Sequence, residues 1–197
     1  MGNSPKERSV GTSVFWLRYT VNQNMAESLR KKKPDTQLVE LAGRNWLASE
    51  LMRAGIEVAR PERDRGIDLI AYVDLDERIG DFTACPIQMK AATDQVFSLD
   101  PKYAKFPGLI LAYVWNLADS SKTKCFALTY EEALGVARKM EWTETASWIQ
   151  GGSKGKPGYS TTRPSKRLLA LLAPYGMDTD KWWQKVNKAN QAQRGAK

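Results

Sequence analysis

The 197-residue chain contains no histidine. That absence excludes Ser-His-Asp and Cys-His catalysis, histidine zinc sites and the histidine-based nucleases. Cysteine is nearly as scarce. Cys85 and Cys125 are the only two, they lie far apart and they lack zinc-ligand spacing, so two reduced thiols in a cytoplasmic compartment are the simpler expectation. No apolar run approaches the roughly 20 residues of a membrane span, so no membrane partner is expected. Lys6 stands where a myristoylation signal needs Ser or Thr. The glycine-rich stretch at 151–158 lacks Gly-x-x-x-x-Gly-Lys-Ser/Thr, which excludes a nucleotide-binding P-loop.

Positive charge is abundant and unevenly placed. Residues 1–37 carry 7 basic and 3 acidic side chains, residues 38–150 carry 13 and 17, and residues 151–197 carry 10 and 2. Basic flanks of +4 and +8 thus surround a core of −4. A phosphodiester substrate calls for positive surroundings, whereas a carboxylate-bearing metal site calls for local negative charge. The plainer alternative is that basic tails keep the chain soluble.

The length suits one hydrophobic core with tails. Composition suggests a mobile arm at 1–35 with an apolar patch at Phe15 and Trp16, a core at 36–150, and a basic helical extension at 151–197. Asp35 or Thr36 can cap a helix that Gly55 stops. At 100° per residue Leu38, Leu41, Ala42, Ala48 and Met52 form its apolar face. Glu40 falls in line with Leu47 and Leu51, which would bury its carboxylate in part; an exposed pair with Arg44 is the alternative. Ile56 to Ala59 reads as a strand, and the continuous apolar runs at 109–115 and 124–128 read as buried strands. Thr129 with Glu132 forms a capping box for a helix to about Met140. Later helices are expected from Pro164 to Leu172 and from about Asp178 to Ala189, the last docking through Trp182, Trp183 and Val186.

Residues 65–91 organise the rest. Arg-Gly-Ile-Asp-Leu-Ile-Ala-Tyr, a polar turn and Cys-Pro-Ile-Gln-Met-Lys-Ala read as a β-hairpin. Strand alternation puts Gln88 and Lys90 on one face, and pairing brings Asp68 beside them. An unpartnered buried polar group costs on the order of 1 to 3 kcal/mol, so three on one patch suggest a shared ligand such as a divalent metal holding a phosphate.

These residues resemble the PD-(D/E)XK nuclease superfamily, in its Mrr-like and Holliday-junction-resolvase-like branch. Gly66, Ile67 and Asp68 match the second motif, and Gln88, Met89 and Lys90 match a Gln-x-Lys third motif. Leu51, Gly55 and Val58 follow the pattern that leads into them. The resemblance spans residues 38–130 and implies an α/β, restriction-endonuclease-like mixed sheet of about four strands flanked by helices, with the basic C-terminal extension added. It implies metal-dependent hydrolysis of phosphodiester bonds, with DNA as the expected polymer and a homodimer left open. Asp68, Gln88 and Glu40 would hold Mg²⁺ or Mn²⁺, with Glu50 as second choice for the helix acid. Family members often carry that acid near the position of Arg44. Lys90 would orient the attacking water or stabilise the transition state. Gln88 in place of the usual Glu removes a negative charge and implies weaker metal binding. Arg63, Arg65, Lys154, Lys156, Arg163, Lys166 and Arg167 are candidate nucleic-acid contacts, with pairing to surface acids as the alternative reading of the arginines before Asp68. Two rivals remain: a catalytically inactive module of the same fold that holds nucleic acid or protein, and a scaffold in which Asp68 and Lys90 form an internal salt bridge.

Overall fold

The computed structural model describes residues 35–63, 65–73, 83–151 and 155–195. The expected arm with its Phe15 and Trp16 patch, and Lys154, lie outside the described residues. Helix α1 spans Thr36–Arg53. It ends as its sequence requires: Gly55 takes a φ of 73°, and the amides of Gly55 and Ile56 bond back to Met52 and Leu51, closing the last turn.

The buried stripe of α1 differs from the one that apolar spacing suggests. Gly43, Leu47, Ala48 and Leu51 face inward, whereas Leu38, Leu41 and Met52 are 63%, 46% and 59% exposed and Ala42 is exposed too. The cause is a close approach to the sheet. A Cβ on Gly43 would stand 2.6 Å from the Cβ of Ala91, so the helix meets the sheet where it has no side chain. Spacing rules weigh side chains and cannot register a contact made by the lack of one. Glu40 is exposed in consequence.

Seven strands follow in chain order: β1 Glu57–Ala59, β2 Leu69–Val73, β3 Thr83–Ala91, β4 Phe97–Leu99, β5 Ile110–Trp115, β6 Lys124–Thr129 and β7 Tyr159–Thr161. Five form a mixed sheet in the order β1-β2-β3-β5-β6. Its one parallel pair is β3 with β5, and the other three pairs are antiparallel. The sheet therefore has one strand more than expected. Leu69 stands opposite Ile87, so β2 and β3 pair antiparallel as the expected hairpin does.

Alternation on the central strands divides the interior. Ile87, Met89, Ala112 and Val114 pack with Leu47 and Leu51 on one face. Leu111, Tyr113 and Trp115 pack on the other beneath helix α2, Tyr130–Lys139. The run at 110–115 is buried at every position, as a strand covered on both faces must be. Strands β4 and β7 make a separate two-stranded sheet, joining the expected C-terminal extension to the core, and residues 36–197 form one compact unit. Helices α3, Lys166–Leu172, and α4, Lys181–Gly195, complete it. Trp182, Val186 and Ala189 are buried in the first core, and the Trp183 indole donates to the carbonyl of Ala54. Docking is thus what these residues do. Among the described residues no helix is long and apolar enough to cross a membrane.

Glu132 fastens the C-terminal helix. It completes the capping box with Thr129 and accepts from Lys185 Nζ at 2.8 Å and Lys188 Nζ at 2.6 Å. Burial pushes its carboxyl up, but the hydrogen bonds from Lys185 and Lys188 prevail and leave it below its ordinary value of 4.5. A lowered acid contributes fully above that value, and its contribution is lost as pH falls through the folded-state value. Glu132→Ala should cost about 2 kcal/mol at pH 7, because the cap is lost and a buried ammonium loses its partner. Urea unfolding at pH 7 and pH 3 checks this: the gap between variant and wild type should narrow at the lower pH.

Candidate functional site

The site begins at Gly66. Its φ of 94° belongs to the region that favours glycine, and a Cβ there would meet Gln88 Oε1 at 3.5 Å. This turn delivers Asp68 to the start of β2, where its amide bonds to the carbonyl of Ile87 at 2.9 Å. The carboxylate then takes over from the backbone. Asp68 Oδ2 accepts from the Met89 amide at 2.6 Å, a backbone group that a longer β2 would otherwise meet, and from Gln88 Nε2 at 2.5 Å.

Gln88 is held from two sides. Its Nε2 also donates to the carbonyl of Met89 at 3.1 Å. With the amide turned over, Oε1 would face two acceptors, so the network fixes which atom points at Asp68. Both residues are buried, Asp68 to 8% and Gln88 to 7% exposure. Across from them, Arg44 brings a guanidinium nitrogen to 3.6 Å from Asp68 Oδ1. Gly43, by letting α1 approach the sheet, sets up that reach. Arg44 Nε is buried and has no hydrogen-bond partner among the described residues.

Lys90 lies one strand repeat beyond Gln88 on the same face. It is half-buried, with Nζ 5.5 Å from the centre of the Tyr103 ring. It lines a cavity of about 420 Å³ together with Lys102, Tyr103, Lys156 and Tyr159. The structure thus brings Lys156 of the basic extension to Lys90 of the hairpin. Other expected contacts lie elsewhere. Arg63 and Arg65 are exposed on the loop before Asp68, and Lys166 is exposed at the start of α3. Arg163 lines a separate cavity with Asp94 and Asn116. Arg167 is engaged with the end of α2, donating to the carbonyl of Lys139 at 2.5 Å beside Glu141 at 3.7 Å.

The donor set tests the expected metal directly. Asp68 already receives two hydrogen bonds and faces a guanidinium. Gln88 turns its amide nitrogen, not its oxygen, toward the carboxylate. Among the described residues no group of three acidic or cysteine side chains is placed to share an ion, and exposed Glu40 joins no such group. Mg²⁺ and Mn²⁺ require several converging oxygens, and the guanidinium beside Asp68 opposes a second cation there. As arranged, these residues do not fit a divalent ion. Lys102 and Tyr103, which sequence reasoning did not place in the site, gave no motif signal, since they stand on the short turn Pro101–Lys105 that follows the three-residue strand β4.

Comparison with known proteins finds no matching family model, no similar curated protein and no similar solved structure.

Removing the carboxylate should expose its structural duty. Asp68→Ala leaves the Met89 amide and Arg44 without this acceptor and removes one of the two acceptors of the Gln88 amide, a loss of about 1 to 3 kcal/mol. Denaturant unfolding at pH 7 measures it, and a change under about 0.5 kcal/mol would show that water replaces Asp68 without penalty.

Proposed function

We propose that the chain is a nucleic-acid-binding module built on a PD-(D/E)XK-like, restriction-endonuclease-like core, holding the phosphate backbone without metal-dependent hydrolysis. The observation that carries this reading is the guanidinium of Arg44 at 3.6 Å from Asp68, beside a carboxylate that already accepts from Gln88 and Met89. A tethered monovalent cation neutralises the acid permanently, whereas a bound divalent ion would be needed to activate water. What remains available on that face is ammonium groups. Lys90 and Lys156 share one cavity, and Arg63, Arg65 and Lys166 are exposed, a set suited to phosphate oxygens and indifferent to base identity. DNA is the polymer we favour. Two free, buried thiols suit a reducing, cytoplasmic setting.

Hydrolysis is the second reading. It is favoured by Gln88 and Lys90 sharing one face of β3 with Asp68 joined to Gln88 from the start of β2, and it would require Arg44 to withdraw and the Gln88 amide to turn. Anisotropy titration of a labelled oligonucleotide, with chelator and then with Mg²⁺ or Mn²⁺, separates the two. The binding reading expects affinity without metal, falling linearly with the logarithm of salt concentration, and an intact strand throughout. Metal-dependent cleavage by wild type that disappears in both Asp68→Asn and Lys90→Ala would overturn it. The Arg44→Glu variant, which exchanges the cation for a second carboxylate, should gain Mn²⁺ binding in calorimetry where wild type shows none.

A further inference from the structure

The cavity at Lys90 is built from three separate parts of the chain. Lys90 comes from β3, Lys102 from the turn Pro101–Lys105, and Lys156 from the segment that leads into β7. One acid lines the cavity with them, Asp100, and it is already committed. Its Oδ1 accepts from the Lys102 amide at 2.9 Å, and its Oδ2 lies 3.2 Å from Lys102 Nζ. Among the described residues neither Lys90 nor Lys156 has a carboxylate within ion-pair distance. Three ammonium groups and one carboxylate leave the lining with an excess of two positive charges.

Two of those ammonium groups converge on one ring. Lys90 Nζ is 5.5 Å and Lys102 Nζ 4.9 Å from the centre of Tyr103. The ring attracts each cation, and since Asp100 already pairs with Lys102, the positive charge left without an acid is that of Lys90 and Lys156. Hydroxyls line the same space. Ser98 on β4 stands opposite Ser160 on β7, and both reach the cavity because their neighbours Phe97 and Leu99 point into the core. Gly158 makes the wall possible. With a φ of 137°, it passes so close to β4 that a Cβ would stand 2.7 Å from the Leu99 carbonyl oxygen, and this brings Lys156 over the opening.

We propose that this cavity is a seat for a phosphate monoester, the terminal phosphate of a nucleic-acid strand or of a free nucleotide. An internal phosphodiester carries one negative charge, whereas a monoester carries about −1.5 to −2 near neutral pH, which matches the excess of two. A volume of about 420 Å³ is in the range of small-ligand sites and suits a strand end better than a continuous backbone. Because Lys90 follows Gln88 on the same face of β3, the seat extends the face to which Gln88 belongs. The strand-end form of this inference rests on the nucleic-acid reading given above.

The test is a set of titrations with one oligonucleotide sequence bearing a 5′-phosphate, a 3′-phosphate or hydroxyls at both ends, with a nucleoside monophosphate run in parallel. Wild type should bind one phosphorylated form at least tenfold more tightly than the hydroxyl form. That ratio should fall to near one in Lys90→Met and in Lys156→Ala; the second side chain is exposed, so its loss leaves the fold intact. Equal affinity for all three ends would overturn the seat while leaving nucleic-acid binding in place. Binding of the nucleoside monophosphate that depends on Lys90 and Lys156, with no oligonucleotide bound, would keep the seat and overturn the nucleic-acid reading. Binding of neither would overturn both.

Discussion

The carboxylate of Asp68 stands at a junction where three elements meet. It ends the ladder between β2 and β3 by accepting the Met89 amide, it fixes the rotamer of Gln88, and it faces the guanidinium that α1 presents. A buried carboxylate without partners is costly. Here it is met from the chain itself. The spacing of the whole face follows, because Gln88 and Lys90 are placed by the same strand whose pairing Asp68 completes. Gly66 upstream and Gly43 on the helix are the backbone conditions for this junction, one through its positive φ and the other through the distance at which α1 packs.

The kind of cation beside Asp68 decides what the face can do. A divalent ion brings coordination sites that hold water and shift its acidity. A guanidinium brings directed N–H donors and a charge that neither exchanges nor polarises a bound water comparably. With Arg44 in that position the carboxylate becomes part of the scaffold, and the groups left to meet a ligand are the ammonium and hydroxyl groups along β3, β4 and β7. On the reading proposed above, these are the groups that would meet phosphate oxygens.

Much of this fold is legible in the sequence, and the parts that are not share a cause. The apolar runs that became β5 and β6, the cap formed by Thr129 and Glu132, the stop at Gly55 and the docking of Trp182 follow from local pattern, because each is decided by residues adjacent in the chain. The two faces of β3 also follow, since alternation fixes which of residues 85–91 face together. The inward face of α1 does not, because Gly43 sets it by closeness to Ala91. Glu40 therefore points outward, and the position facing Asp68 belongs to Arg44. The pairing of β4 with β7 is equally hidden. Each strand has three residues, and what joins them is tertiary packing around Phe97, Tyr113 and Trp142, whose rings lie within 6 Å of one another in two successive contacts.

The distribution of charge shows why a net count is a poor guide to a binding field. Residues 151–197 carry 10 basic and 2 acidic side chains, yet several of those cations are spent within the fold. Lys185 and Lys188 hold Glu132, Lys181 pairs with Asp178, and Arg167 binds the end of α2. Lys185, Lys188 and Arg167 attach the extension to the core, the Lys181 pair lies within the extension, and all contribute little outward potential, because each is matched by an acid or a carbonyl nearby. The cations that matter for an anionic partner are those that folding leaves unmatched at a shaped surface. Lys156 meets that condition in the extension and Lys90 in the core, and the short β4–β7 sheet, not the overall excess of lysine, is what makes them neighbours.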